Sequence, residues 1–99
     1  MTNKNFRSYQ LALDLYKDCK AVKLPYYLRD QLLRALSSAV LNLSEGAARQ
    51  TRKERNRYFN IAYASTKEVQ AIIDLESELL TGLTDKADHV AASIYKLRM

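Results

Sequence analysis

This 99-residue chain has few residues of the types that break helices or build covalent and metal sites. It contains two glycines, one proline, one cysteine, one histidine and no tryptophan. A lone cysteine excludes an intramolecular disulfide, and a lone histidine excludes catalytic triads and multi-histidine metal sites within one chain. Because glycine and proline supply most tight turns, their scarcity predicts long helices. We therefore expect no catalytic residues, no metal and no cofactor.

The overall composition is that of one small globular domain. Hydrophobic residues make up 47% of the chain, so we expect a single core and one domain over residues 1–99. Neither a signal peptide nor an apolar segment of membrane length is present, which predicts a cytoplasmic protein and no membrane partner. The net charge of +5 permits attraction to nucleic acid, although many proteins this basic bind none.

Apolar residues recur at three- and four-residue steps in four segments, which is the pattern of amphipathic helices. The segments cover about residues 6–22, 25–48, 51–82 and 84–98. The short connections between them predict an all-α, antiparallel, up-down-up-down four-helix bundle. The cap residues expected from their side chains and positions are Asn3 or Asn5, Thr51 with Glu54 as a capping box, Gly82 and Thr84.

A second, polar stripe follows the second helix. Its members recur at three- and four-residue steps and lie within an arc of about 80°; they are Gln31, Arg34, Ser38, Asn42 and Glu45. The stripe is either a solvated face or a polar seam against another helix. Glu68 interrupts an apolar stripe of the third helix. We expect it at the edge of the core or paired with a cation, and Arg34 is the expected partner.

The second and third helices carry more apolar side chains than one bundle core needs. The surplus consists of Tyr26, Tyr27, Leu33, Leu41 and Tyr63. Exposed together, such residues mark a partner surface, whereas scattered singly they mean nothing. We expect self-association.

Five basic residues surround a single acid, Glu54, at the junction of the second and third helices. This basic corner consists of Arg49, Arg52, Lys53, Arg55 and Arg57. Cations of this density are able to contact phosphates, with an affinity that falls as salt rises and without reading sequence. Tyr58 and Tyr63 follow on the next turns, where aromatic rings either stack on unpaired bases or belong to the core.

Two runs of residues carry a family resemblance. The first is Gln31-Leu32-Leu33-Arg34-Ala35, Ser38 and Asn42-Leu43-Ser44-Glu45-Gly46, and the second is Arg49, Thr51, Glu54, Arg57-Tyr58-Phe59, Ile61-Ala62, Ser65 and Glu68-Val69. Together they resemble the four-helix-bundle proteins encoded in intervening sequences of bacterial 23S ribosomal RNA genes. That family is related to the accessory variability determinant of diversity-generating retroelements. For family members that are more similar to this determinant, the relationship implies reverse transcriptase and RNA as partners.

The resemblance implies a homopentamer with a basic surface for nucleic acid and no enzymatic activity. Carried over by position, Arg49 and Arg57 match the family's basic positions, which leaves Arg52, Lys53 and Arg55 as the freer candidates for phosphate contact. The residues that match its polar motif are Arg34, Ser38, Asn42, Glu45, Gly46, Ser65 and Glu68.

The chain departs from the family pattern at Ala64, at Ser44 and in its short connection over residues 23–27. The polar motif either binds a ligand or only fixes helix packing and subunit register.

The sequence therefore predicts a non-enzymatic, self-associating helical protein that binds RNA or DNA weakly through the basic corner. The alternative is a structural or protein-interaction module that binds no nucleic acid.

Overall fold

A computed structural model describes residue 3 and residues 6–98, and in this part of the chain it contains four α-helices and no strand. The helices are α1 (Arg7–Lys20), α2 (Tyr26–Ala47), α3 (Arg52–Leu75) and α4 (Thr84–Leu97). They pack around one core in a molecule measuring 41 × 21 × 21 Å. The prediction of an all-α fold with four helices is confirmed.

The core is built from the apolar stripes of all four helices. Its fully buried side chains include Leu15, Leu36, Leu43, Ile73 and Ile94. Cys19 is also fully buried, and burial, followed by the neighbouring carboxylate of Asp18, raises the pKa of its thiol to about 11. Cys19 therefore acts as a small core residue, as its place on the apolar stripe predicts.

Side-chain hydrogen bonds connect neighbouring helices and show which positions on them lie side by side. The inter-helix pairs joined by side-chain hydrogen bonds are Ser8–Ser93 (2.5 Å) and Asp18–Lys86 between α1 and α4, Ser38–Ser65 (2.8 Å) between α2 and α3, and Asn60–Arg98 (3.2 Å) and Gln70–Asp88 (2.8 Å) between α3 and α4. Within the described residues, no helix is long and apolar enough to cross a membrane.

Three of the residues expected to cap helices do not do so: Asn3 at α1, Thr84 at α4 and Gly82 at the end of α3. Phe6 precedes α1 without a capping side chain, so the prediction for Asn3 was wrong. Asn3 instead donates its side-chain amide to Ser44 Oγ at 2.9 Å, and its backbone carbonyl accepts the N–H of Phe6 at 3.2 Å. The other candidate, Asn5, lies outside the described residues. At α4 the N-cap is Leu83, which packs against the core, and Thr84 is the first helical residue rather than the cap.

Helix α3 ends at Leu75, seven residues before the expected end at Gly82. The backbone leaves the helical region at Glu76 (φ −123°, ψ 45°) and continues in turns to Gly82. The early end allows the turns that follow to bury Leu80 against the core. Gly82 has the left-handed φ of +88° that was predicted for it.

A close contact between α2 and α3 depends on a missing side chain. A Cβ added to Gly46 would lie 2.5 Å from Cε1 of Phe59 and 2.8 Å from its Cδ1. Phe59 is buried against Phe6, with ring centroids 6.0 Å apart, so its ring has little room to move. Gly46 therefore lets the Phe59 ring lie against the backbone of α2.

We expect Gly46→Ala to lower the free energy of unfolding by about 1–2 kcal/mol, because the overpacking cost exceeds the gain in helix propensity of about 1 kcal/mol. In a Phe59→Leu background, where the clashing ring is absent, the same substitution should become stabilising by up to about 1 kcal/mol. Urea unfolding of the four chains of this double-mutant cycle measures both values. Equal effects of Gly46→Ala in the two backgrounds would contradict the contact.

Candidate nucleic-acid interface

The basic corner is built on the turn between α2 and α3. Ala48 and Arg49 still donate their backbone N–H groups to the last carbonyls of α2, and Thr51 then starts α3. Thr51 Oγ1 accepts the backbone N–H of Glu54 at 3.1 Å, as the capping box predicts. The corner is therefore a short, hydrogen-bonded turn with a defined start for the next helix.

Arg55 holds this turn together. Its Nη1 donates to the carbonyl of Arg49 at 3.2 Å and to the carbonyl of Gln50 at 2.9 Å. These carbonyls lie just beyond the end of α2, where the helix leaves acceptors without a partner in the chain's own backbone ladder. Arg55 was expected to be one of the freer cations, but its guanidinium is committed to the turn.

Arg49 closes the other side of the turn. Its Nη2 donates to Glu45 Oε2 at 2.7 Å and to the hydroxyl of Tyr58 at 3.2 Å, and its Cζ lies 4.9 Å from the centre of the Tyr58 ring. Tyr58, followed by Glu45, raises the pKa of Arg49, so the guanidinium stays charged. Arg49 therefore links the last turn of α2 to the second turn of α3.

The other three cations of the basic corner face solvent. Arg52 and Lys53 are exposed in the first turn of α3, and Arg57 is exposed one turn later. Cζ of Arg57 lies 5.9 Å from the centre of the Tyr58 ring. Arg49 and Arg55 thus stabilise the shape of the corner, and its exposed cations are Arg52, Lys53 and Arg57.

Four helix ends bring further charge to the same end of the molecule. The start of α1 meets the end of α2 through Asn3 and Ser44, and the end of α4 meets α3 through Arg98 and Asn60. The cations gathered at this basic end are Arg7, Lys96 and Arg98 together with the five of the basic corner, against the acids Glu45 and Glu54.

The rest of the described chain has the opposite balance. It contains seven basic and nine acidic residues, and the one remaining basic residue, Lys4, lies outside the described residues. The protein's positive charge is therefore concentrated at one end of a 41 Å molecule.

A family model described as "23S rRNA-intervening sequence protein" matches residues 4–98. The chain belongs to this family. No curated protein and no solved structure was found to match it. The match covers all four helices and the basic corner, so the corner lies within the part of the chain that the family shares.

The polar residues expected from the family motif fall into two groups. At the centre, Ser65 Oγ donates to Ser38 Oγ at 2.8 Å, and the Asn42 side-chain amide donates to the Ser38 carbonyl at 2.8 Å and to its hydroxyl at 3.3 Å. This part is a polar seam between α2 and α3. Near the end of α2, Glu45 pairs with Arg49, and Gly46 faces Phe59.

The expected pair between Arg34 and Glu68 was wrong. Arg34 donates to Asp30 Oδ2 at 2.5 Å, four residues away on the same helix, with 75% of its side chain exposed. Glu68 is exposed on α3. Asp30 lies one turn before Arg34 on the same helix, within reach of its side chain, whereas Glu68 lies on another helix. This proximity explains why Arg34 pairs with Asp30.

The surplus apolar side chains are in part exposed. Tyr26 is 85% exposed, and Tyr27 and Leu41 are exposed as well, whereas Leu33 and Tyr63 pack partly against the core. A second exposed set lies on α3 and comprises Ile61, Ala64, Glu68, Ala71 and Leu75. The sequence indicated an apolar stripe interrupted by Glu68 on this helix, but it did not single out the two alanines. The residues of this set are three or four positions apart in the sequence, and this spacing predicts that they lie on one face of the helix.

The described residues hold no group of three or more His, Cys, Asp or Glu side chains placed to bind a metal ion. His89 is exposed on α4, and the two carboxylates considered as an acid–base pair, Glu45 and Glu68, are exposed on different helices. The family's description names no reaction. The arrangement is one of exposed charge on a hydrogen-bonded turn.

Proposed function

We propose that this protein binds nucleic acid through the basic corner and acts by binding rather than by catalysis. The observation that carries the proposal is the cluster of exposed Arg52, Lys53 and Arg57 at an end of the molecule with eight cations and two acids. Such a surface attracts the phosphate backbone without reading sequence. Its affinity falls as salt rises, because binding releases counterions.

The construction of the turn favours this function. Arg55 and Arg49 hold the end of α2 against the start of α3, so the exposed cations stand on a rigid support. The first turn of α3 also presents the positive end of a 24-residue helix to the same region. The helix dipole and the side-chain charges thus attract the same phosphates.

Reversal of three exposed cations tests the proposal. We expect the triple variant Arg52→Glu, Lys53→Glu, Arg57→Glu to lose the retarded complex that the parent protein forms with RNA or DNA in a low-salt gel shift. Arg55 is left unchanged because its hydrogen bonds support the turn.

The control is the triple variant Lys17→Glu, Lys20→Glu, Lys23→Glu, which changes the net charge equally with exposed residues at and beyond the end of α1. It should retain most of the complex. Equal loss in both variants would mean that net charge alone decides binding, and an unaltered shift in the first variant would contradict the proposal.

We also propose that the helices form an antiparallel up-down-up-down bundle that assembles into a homopentamer. The inter-helix pairs support this topology, because rising residue numbers on one helix meet falling numbers on the other in α1–α4 (Ser8–Ser93, then Asp18–Lys86) and in α3–α4 (Asn60–Arg98, then Gln70–Asp88).

The exposed stripe on α3 supports the assembly. Leu75 is 73% exposed and Ile61 is 43% exposed, with Ala64, Glu68 and Ala71 between them. The small alanine side chains permit the close approach of a second helix, and burial of Ile61 and Leu75 would remove their apolar surface from water, with the Glu68 carboxylate at the edge of the contact. A ring of chains would also repeat the basic corner, so that weak phosphate contacts add through multivalency.

Light scattering after size exclusion measures the assembly. We expect a mass five times that of the 11.4 kDa chain. Replacing the exposed stripe alanines, Ala64→Glu with Ala71→Glu, should lower the mass because it places charge in the interface. The matched control, Ala21→Glu with Ala92→Glu, changes exposed alanines off the stripe and should keep the parent mass. A single-chain mass for the parent protein would contradict the proposal and favour a monomeric module.

A further inference from the structure

One line of side chains on α3 leads away from the basic corner toward α4. Lys53, Asn56, Asn60, Tyr63 and Lys67 follow one another at steps of three and four residues. At about 100° per residue they lie within an arc of about 80°, and at about 1.5 Å per residue they span about 21 Å. Lys53, Asn60 and Lys67 are exposed, and the other two are half-buried. The line is therefore a continuous surface that begins at the exposed cations of the corner.

Two residues from the end of α4 join this line at its middle. The rings of Tyr63 and Tyr95 lie 5.9 Å apart at 56° to each other. Cζ of Arg98 lies 3.9 Å from the centre of the Tyr63 ring and 4.9 Å from that of Tyr95, and its Nη1 donates to Asn60 Oδ1 at 3.2 Å. Helix α4 thus adds an aromatic ring and a guanidinium to the surface of α3.

This cluster keeps unused capacity to bind. Tyr95 is 48% exposed although its ring contacts Tyr63. Nζ of Lys67 lies 5.9 Å from the centre of the Tyr63 ring, which adds a second cation beside the rings. An exposed aromatic ring next to cations is the feature that holds an unpaired base and its phosphate, and Tyr95 supplies that ring.

Acidic residues mark the limits of the line. Glu54 is the one acid between residues 51 and 67, and it lies about 100° round the helix from Lys53. At the far end, Gln70 donates to Asp88 Oδ1 at 2.8 Å, so a carboxylate follows directly after Lys67. The part of the line that attracts phosphates therefore extends from Lys53 to Lys67.

We propose that this line, with Tyr95 and Arg98, is a binding track for single-stranded nucleic acid. The inference rests on the proposed function and specifies its ligand. A length of about 21 Å accommodates at most about six nucleotides, the number for a fully stacked strand at about 3.4 Å each, and fewer when bases leave the stack. In a duplex the base faces are stacked on one another and cannot contact an aromatic ring, whereas a single strand offers its base faces to the tyrosine rings as well as its phosphates. The protein should therefore prefer single strands.

Fluorescence anisotropy with labelled 12-nucleotide single strands, RNA and DNA, and with a 12-base-pair duplex tests the track at low salt. We expect the parent protein to bind both single strands more tightly than the duplex. Tyr95→Ala should weaken single-strand binding about tenfold and leave duplex binding unchanged, because one base loses its stacking partner. Tyr95→Phe keeps the ring and should restore most of the affinity.

Two matched variants control for surface and charge effects. Tyr26→Ala removes a more exposed tyrosine at the start of α2 and should leave single-strand binding unchanged. Lys67→Glu, at the far end of the track, should weaken single-strand binding more than Lys17→Glu, which makes the same charge change on α1. Urea unfolding of Tyr95→Ala checks that its helices remain folded.

The outcomes separate this inference from the proposed function. Equal affinity for single strand and duplex, with no effect of Tyr95→Ala beyond that of Tyr26→Ala, would overturn the track and leave the basic corner as a general phosphate-binding surface. Absence of binding to every probe at low salt would overturn both proposals. A preference for single strands that Tyr95→Ala abolishes and Tyr95→Phe retains would support the track.

Discussion

The contact between Gly46 and Phe59 is the constraint on which the geometry of the basic end depends. It brings the last turns of α2 against the first turns of α3, and Phe6 packs against the same ring. The connecting turn is consequently short, and its carbonyls lie within reach of Arg55. A larger residue at position 46 would push the helices apart and move the exposed cations with them.

The packing around Phe59 brings together the helix ends that carry the basic residues. The helix ends that meet near Phe59 carry most of the excess positive charge, while the opposite end holds the acidic turns that follow α3. Arginines at the basic end have distinct roles: Arg49 and Arg55 bond to the turn, Arg98 lies on two tyrosine rings, and Arg52 and Arg57 are exposed. A count of basic residues in the sequence cannot separate these roles, because they depend on which acceptors lie nearby.

Local patterns predicted local structure well. The N-cap hydrogen bond of Thr51 and the left-handed Gly82 depend on neighbours in sequence, and both were confirmed. The burial of Cys19 was also confirmed, because its place on the apolar stripe of α1 directs it to the core. Predictions that required a partner on another helix fared worse. Arg34 pairs within its own helix, and the acceptors of Arg55 are backbone carbonyls, which have no sequence signature. The cluster of Tyr63, Tyr95 and Arg98 joins residues more than thirty positions apart and emerges only when α4 packs on α3.

The salt dependence of nucleic-acid affinity tests the central claim most directly, since that claim is that exposed cations at one end of the protein contact phosphates. Dissociation constants for a labelled single strand, measured from about 20 to about 200 mM NaCl, give a slope that counts the contacts. For three to five phosphates per chain, at about 0.7 per contact for single strands, the slope of log affinity against log salt should be about −2 to −4. A slope near zero, or no binding at the lowest salt, would contradict an electrostatic nucleic-acid interface.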